Sequence, residues 1–377
     1  MTFSRVAERM EALLTLGVPG CAISVRQDHK EVYRYVCGSA DREGTKPLTG
    51  REAFYLFSCT KPITVAAAMQ LVERGSLELD RPVADYLPEF AHMTVQQDGV
   101  LVPADKPISV RHLFTMSAGL DYDVESEPIR QLLKEVGIGV TTRRFVAAIA
   151  KKPLCFHPGE RFQYSMCHTV LGAVIEAVSG MTFGDWLQTE MFAPLGMTET
   201  GFAFHHPTRA PLAKQYGYNI ETGKVEDLGL EHPYRFGDAF EAGGSGLIST
   251  LDDYALFADA MACGGVGATG ARILKPETVD AIRTEQLRKL VKDPTFSCAA
   301  GPGYGYGLGV RTLIDKSYGA RSPLGEFGWD GADGAFLIVD PENRLSICFM
   351  QHMRCWPNLM GTFYAPIRDD VYDILGL

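Results

Sequence analysis

No stretch of the chain approaches the roughly 18 consecutive apolar residues that a membrane-spanning helix needs. The opening Met1-Thr2-Phe3-Ser4-Arg5-Val6-Ala7-Glu8-Arg9-Met10 also lacks the long apolar h-region of a signal peptide. The expectation is a cytoplasmic protein. Basic residues are in the minority, 36 Lys and Arg against 46 Asp and Glu, which gives a formal net charge of −10 and a pI near 5.4. That balance creates no general field for a polyanion, so neither nucleic acid nor a membrane surface is an expected partner. The nine cysteines (21, 37, 59, 155, 167, 263, 298, 348 and 355) are odd in number, scattered, and without a Cys-x-x-Cys spacing. Free thiols in a reducing compartment fit best. Cys21 and Cys37 either face each other across a hairpin or are two buried small hydrophobes. None of the nine histidines stands in an H-E-x-x-H frame, and His205-His206 lies between an aromatic patch and a proline, so no metal and no cofactor are expected.

What is present is an ordinary globular composition, 46% hydrophobic and 22% charged, in a chain long enough for roughly two domains. Val6, Met10, Leu13 and Leu14 recur at helical spacing before Gly17 and Pro19. Two β-rich runs, 21–26 and 31–38, flank a polar Gln27-Asp28-His29-Lys30 and read as an antiparallel hairpin. A helix follows at about 59–74. From about 80 to 240 the pattern is helical, near 109–117, 127–136, 142–151, 165–179 and 183–191, and strand signals nearly vanish. Helices near 250–262 and 276–285, β-type runs at 306–314, 334–340 and 345–352, and a closing helix at about 362–375 complete the chain. The β-rich pieces therefore lie at both ends. We expect an α/β domain made of 1–79 and 241–377, with a mainly helical domain, 80–240, inserted between them.

Three familiar motifs fail on inspection. Gly243-Gly244-Ser245-Gly246-Leu247 misses the last glycine of a nucleophile elbow. Gly265-Val266-Gly267-Ala268-Thr269-Gly270 matches G-x-G-x-x-G but follows a helix rather than a strand, and so reads as a flexible loop. The glycines of 301–309 lack the lysine and hydroxyl pair of a phosphate loop.

Ser58-Cys59-Thr60-Lys61-Pro62 carries more chemistry. Three residues along a helix bring Cβ atoms to about 5–6 Å, so Lys61 can reach the Ser58 oxygen. Pro62 lacks an N–H and is comfortable only in a first helical turn, which places Ser58 at the helix start. First-turn N–H groups are unpaired within the helix and available to a developing oxyanion. The positive end of the helix dipole disfavours a cation and lowers the Lys61 pKa. A bare S-x-x-K arises roughly once by chance in a chain of this length. Here it is followed by His157-Pro158-Gly159-Glu160-Arg161-Phe162-Gln163-Tyr164-Ser165-Met166, with Tyr164 just before a helix, and by Phe327-Gly328-Trp329-Asp330-Gly331-Ala332-Asp333-Gly334 before a strand.

In that order, together with Ile108 to Leu120 and Ala242 to Thr250, the blocks resemble the serine β-lactamase and penicillin-binding-protein superfamily. The likeness is greatest to its class C β-lactamase-like branch, which includes carboxylesterases, and it spans nearly the whole chain. It implies an α/β (α+β) fold of the β-lactamase/transpeptidase type: an antiparallel sheet flanked by helices, built from both chain ends, with an inserted all-α domain. It also implies that Ser58 is the acylated nucleophile and that Lys61 and Tyr164 form the proton-transfer pair, Tyr164 acting as base or as relay. The oxyanion hole maps to the N–H groups of Ser58 and Ala332, the latter on the closing edge strand. Trp329, Met166 and Gly331 map to the substrate side.

Two departures shape the substrate. The superfamily's β-lactamases and peptidases carry Asn two residues after the tyrosine and Lys at the third motif; this chain has Met166 and Trp329. Neither a cation for a carboxylate nor an amide for a peptide bond is present. The expected reaction is hydrolysis of a small-molecule ester, or amide, through an acyl-enzyme on Ser58, with acyl transfer to an alcohol as a side activity. A β-lactamase or D-amino-acid peptidase, and a non-catalytic binding member of the fold, are the alternatives. Asp330 and Asp333 either repel anionic substrates or are solvated turn residues, and His168 either faces the site or sits in the core or on the surface.

Overall fold

The computed structural model describes residues 2–202, 210–287, 290, 301–354 and 360–377, with side chains in the last stretch from 362 onward. His205-His206, Cys298 and Cys355 lie outside the described residues.

The strands are β1 (Gly20–Gln27), β2 (Lys30–Gly38), β3 (Ala53–Tyr55), β4 (Thr94–Gln97), β5 (Val100–Pro103), β6 (Gln215–Asn219), β7 (Lys224–Gly229), β8 (Ile248–Thr250), β9 (Tyr304–Tyr306), β10 (Arg311–Leu313), β11 (Phe327–Asp330), β12 (Phe336–Asp340), β13 (Leu345–Gln351) and β14 (Met353–Arg354). The principal helices are α1 (Ser4–Thr15), α2 (Thr60–Glu73), α3 (Val110–Phe114), α4 (Glu127–Val136), α5 (Thr142–Ile149), α6 (Cys167–Ser179), α7 (Phe183–Leu187), α8 (Ala193–Leu195), α9 (Leu251–Ala262), α10 (Pro276–Arg283) and α11 (Ala365–Leu375). Among the described residues no single helix is long and apolar enough to cross a membrane.

Seven strands form one antiparallel sheet in the order β2-β1-β13-β12-β11-β10-β9. The two chain ends meet where β1 pairs with β13, Ala22 opposite Met350 and Val25 opposite Ile347. Successive side chains on a strand point to opposite faces. Ala22, Leu337, Cys348 and Met350 accordingly join the large core under α2, α6 and α9. Cys21, Ile23, Ile338, Ile347 and Phe349 join a second core with Val6, Met10 and Leu13 of α1 and Ile367 and Val371 of α11. With both faces covered, β13 reads as a continuous apolar run rather than an alternating one. Cys21 and Cys37 are directly opposite in the β1–β2 register. Their sulfurs are 3.5 Å apart as free thiols.

Helices outnumber strands among the described residues of 80–240, but strands do occur there, contrary to the sequence pattern. β4 and β5 form a hairpin, and β6 pairs with β7 and with β14. These strands escaped notice because they bury little: β5 exposes Val100 and Leu101, and β7 is exposed or half-buried throughout. Without a buried face there is no period-two alternation to read. The expected single run at 306–314 is likewise two short strands, β9 and β10, separated by a turn at Gly307–Gly309.

Candidate active site

β3 pairs with β8 and delivers the chain to a single 3₁₀ turn, Phe57–Cys59, that runs directly into α2. Every residue of α2 from Thr60 to Leu71 is buried, so the helix is anchored all round and its first turn has a fixed position. Phe57 adopts φ +44°, a left-handed conformation that costs a bulky residue about 1–3 kcal/mol. Its ring is held against the His232 imidazole at a centroid separation of 4.6 Å. Behind it, a Cβ on Gly331 would lie 2.3 Å from the Leu56 carbonyl oxygen, so only glycine lets the 331–335 turn approach the nucleophile segment so closely. The Cys59 thiol reaches the Trp329 and Ala335 carbonyls at 3.5 and 3.6 Å.

Five side chains converge there. Lys61 Nζ is 3.1 Å from Ser58 Oγ, 3.3 Å from Tyr122 Oη and 2.7 Å from the Gly244 carbonyl. Tyr164 Oη donates to Ser58 Oγ at 2.7 Å, and Trp329 Nε1 donates to Tyr164 Oη at 3.2 Å. The Tyr164 ring stacks between those of Tyr122 and Trp329, with centroids 5.6 and 5.7 Å away. Lys61 is wholly buried and no carboxylate pairs with it among the described residues. Burial without a counter-charge pulls its pKa down to about 7. The same burial drives the phenols of Tyr164 and Tyr122 well above their ordinary value. Both phenols are therefore neutral near neutral pH, and Lys61 exchanges its proton there.

Ser58, Lys61, Tyr164 and Trp329, all named from the sequence, are thus brought together. Tyr122 and the Gly244 carbonyl were missed. Tyr122 follows the Ile108–Leu120 block at no fixed spacing from Ser58, and a carbonyl oxygen leaves no mark in a side-chain motif. The failed elbow at 243–246 is in fact a wall of the site. Ala332 corrects one expectation: it lies in the turn after β11, and β11 is an interior strand of the sheet, not a closing edge. The β10 ladder pairs only Phe327 and Gly328, however, so Trp329 and Asp330 lie beyond its end. No acceptor takes the N–H of Ser58 or of Ala332 among the described residues. Met166 is 3% exposed in the large core, and its amide bonds the Asp121 carbonyl at 3.1 Å.

Asp330 and Asp333 are not solvated turn residues. Asp330 pairs with the buried Arg311 at 2.6 Å, and Asp333, 2% exposed, pairs with Arg354 at 3.1 Å. Burial lifts their carboxyl groups to about 6 and about 7, against the pull of the arginines. His168 is a core residue, its Nε2 3.3 Å from the Phe114 carbonyl. For a metal, His29, Asp259 and Cys263 bring ligand atoms within 4.8 Å of one another. Asp259 is already engaged there by His29 Nδ1 at 2.8 Å and by the Arg26 guanidinium at 3.8 Å, a cation that any metal ion would have to sit beside.

The family described as Beta-lactamase matches residues 4–353. Protein Rv1367c of Mycobacterium tuberculosis is 32% identical over 345 residues, covering 88% of this chain and 86% of that protein. Esterase EstB of Burkholderia gladioli is 30% identical over 376 residues, 93% of this chain and 90% of that one. Among solved structures, EstCE1, a hydrolase with promiscuous acyltransferase activity, superposes with a TM-score of 0.79 at 28% identity over 98% of both chains. Sequence blocks, sheet order and likeness therefore agree through almost the whole length, and the chain belongs to the Beta-lactamase family.

Proposed function

We propose that the chain hydrolyses carboxylic esters of small molecules through an acyl-enzyme on Ser58, and passes the acyl group to an alcohol when one replaces water. The observation that carries this reading is a hydrogen-bonded chain from Trp329 through Tyr164 and Ser58 to Lys61. A neutral amine has two N–H groups, which the Gly244 carbonyl and Tyr122 Oη accept. Its lone pair is left for the Ser58 proton. Lys61 takes that proton as Oγ attacks the ester carbonyl, and the N–H groups of Ser58 and Ala332 receive the oxyanion. Tyr164 gives its proton to the departing alkoxide and regains one from Lys61. Water then enters as the alkoxide left, the same groups take its proton, and Ser58 is released.

Substrate class is argued from charge. Trp329 places a neutral indole, its one N–H already given to Tyr164 Oη, where a cation would hold a carboxylate, and the nearby Arg311 and Arg354 are each committed to an aspartate. The likeness to esterase EstB and to the hydrolase EstCE1 supports the same class. Trp329 and Gly331 face the acyl group in this reading. Met166 contributes by removing an amide from the site rather than by contact. The test is a steady-state comparison of short p-nitrophenyl esters with a chromogenic cephalosporin. The esters are expected to be the better substrates. A cephalosporin preference of about tenfold, worth about 1.4 kcal/mol in the transition state, overturns the assignment.

Gly331→Ala probes the turn directly. The new methyl would collide with the Leu56 carbonyl and push the Ala332 N–H out of line. A loss of kcat on the order of 100-fold is expected, the cost of one oxyanion donor. The check is ester turnover by a variant whose thermal unfolding remains cooperative.

A further inference from the structure

We propose that Arg354 is a positioning residue for the oxyanion-binding N–H pair, tying the Phe57–Ser58 backbone to the Ala332–Asp333 turn. The inference rests on the acyl-enzyme reading above. The two N–H groups belong to segments far apart in sequence, each closed by its own short-range backbone bond, Cys59 to the Leu56 carbonyl at 3.0 Å and Gly331 to the Ala335 carbonyl at 2.8 Å. On one side Phe57 sits at φ +44° immediately before Ser58. On the other, Ala332 is an exposed residue in a turn, without a side chain to fix it.

Arg354 touches both sides. Its Nε donates to Asp333 Oδ1 at 3.1 Å, one residue beyond Ala332. Its guanidinium carbon lies 4.7 Å from the centre of the Phe57 ring, one residue before Ser58. The far nitrogen donates to Gln215 Oε1 on β6 at 2.7 Å, so the cation itself is held from a third direction. His232 shares the Phe57 ring, and burial together with the charge of Arg354 keeps that imidazole neutral, near 3, so it does not repel the guanidinium. A planar, permanently charged fork is the side chain that can stack on a ring and bond a carboxylate at the same time. Asp333 cannot relax toward water if released, because it is almost wholly buried. The Ala332 N–H is therefore held by the ion pair on its C-terminal side and by the Gly331–Leu56 contact on its N-terminal side.

The experiment compares p-nitrophenyl acetate with its thiono analogue, whose sulfur is a poor acceptor for oxyanion-hole donors, in the native chain and in Arg354→Gln. In the native chain the oxo ester is expected to be strongly preferred. Arg354→Gln should lower kcat on the oxo ester by about 10- to 100-fold, the scale of a displaced donor. KM should stay within about threefold, and the oxo-to-thiono ratio should fall with kcat. If Arg354→Gln does not fold with Asp333 left unpaired, the double variant Asp333→Asn with Arg354→Gln removes both charges and should show the same losses. A folded variant whose kcat and oxo-to-thiono ratio both stay within about twofold of native overturns the proposal. A native chain with ester turnover but no oxo-to-thiono preference overturns instead the oxyanion reading beneath it.

Discussion

Ser58→Ala should reduce ester turnover by roughly 10⁴-fold or more, the scale at which enzymes lose their nucleophile. The expectation is this severe because nothing nearby can substitute. Cys59 is adjacent, but its thiol is fully buried, directed at the Trp329 and Ala335 carbonyls, and held protonated by that burial. Lys61 is also spent on the Gly244 carbonyl and Tyr122, and as an amine it forms an amide that water does not readily cleave. The variant should fold, because the half-buried Ser58 hydroxyl packs against no apolar neighbour that needs it. The check is the intact mass after exposure to a fluorophosphonate: the native chain gains one adduct, located on the peptide holding Ser58, and the alanine variant gains none. Absence of an adduct on the native chain would leave a binding protein with a hydrolase fold.

Lys61→Met comes next in size, with an expected loss of about 10²- to 10⁴-fold, the range of a general base. Methionine fills the slot without burying a charge, although it leaves the Gly244 carbonyl and Tyr122 Oη without their shared donor. The native pH profile separates this role from simple packing. An amine accepts the Ser58 proton only when neutral, and burial has brought the Lys61 pKa down to about 7. Activity should therefore be low in acid, rise as pH passes through about 7, and level off above it. A kcat/KM flat from pH 5 to 9 would sink the assignment of Lys61 as base, since a depressed lysine in that role must titrate within that window.

The meeting of Ser58, Lys61, Tyr164 and Trp329 was legible in the sequence because each is a side chain in an ordered block, and the first two share one helix turn. The sheet was legible at its centre, where strands such as β13 carry long apolar runs, and illegible where strands are exposed or brief, as in β4–β7. Asp330 and Asp333 looked like turn residues because their partners, Arg311 and Arg354, come from other strands and no local spacing announces them. Tyr122 and the Gly244 carbonyl were invisible for the same reason: tertiary packing alone makes them neighbours of Lys61. Ala332 was misplaced as an element, since a glycine-rich segment can be read as strand or turn until its pairing is known.

Because β1 from the start of the chain finds its partner in β13 near the other end, a growing polypeptide on the ribosome cannot assemble this site piecemeal. Ser58 and Lys61 precede the turn bearing Ala332, and Arg354, by most of the chain's length. Until these are in place the serine is an ordinary alcohol. Under the proposed mechanism a chain interrupted before the 331–335 turn is expected to be chemically silent, acylating power arising only once β11 to β13 have docked.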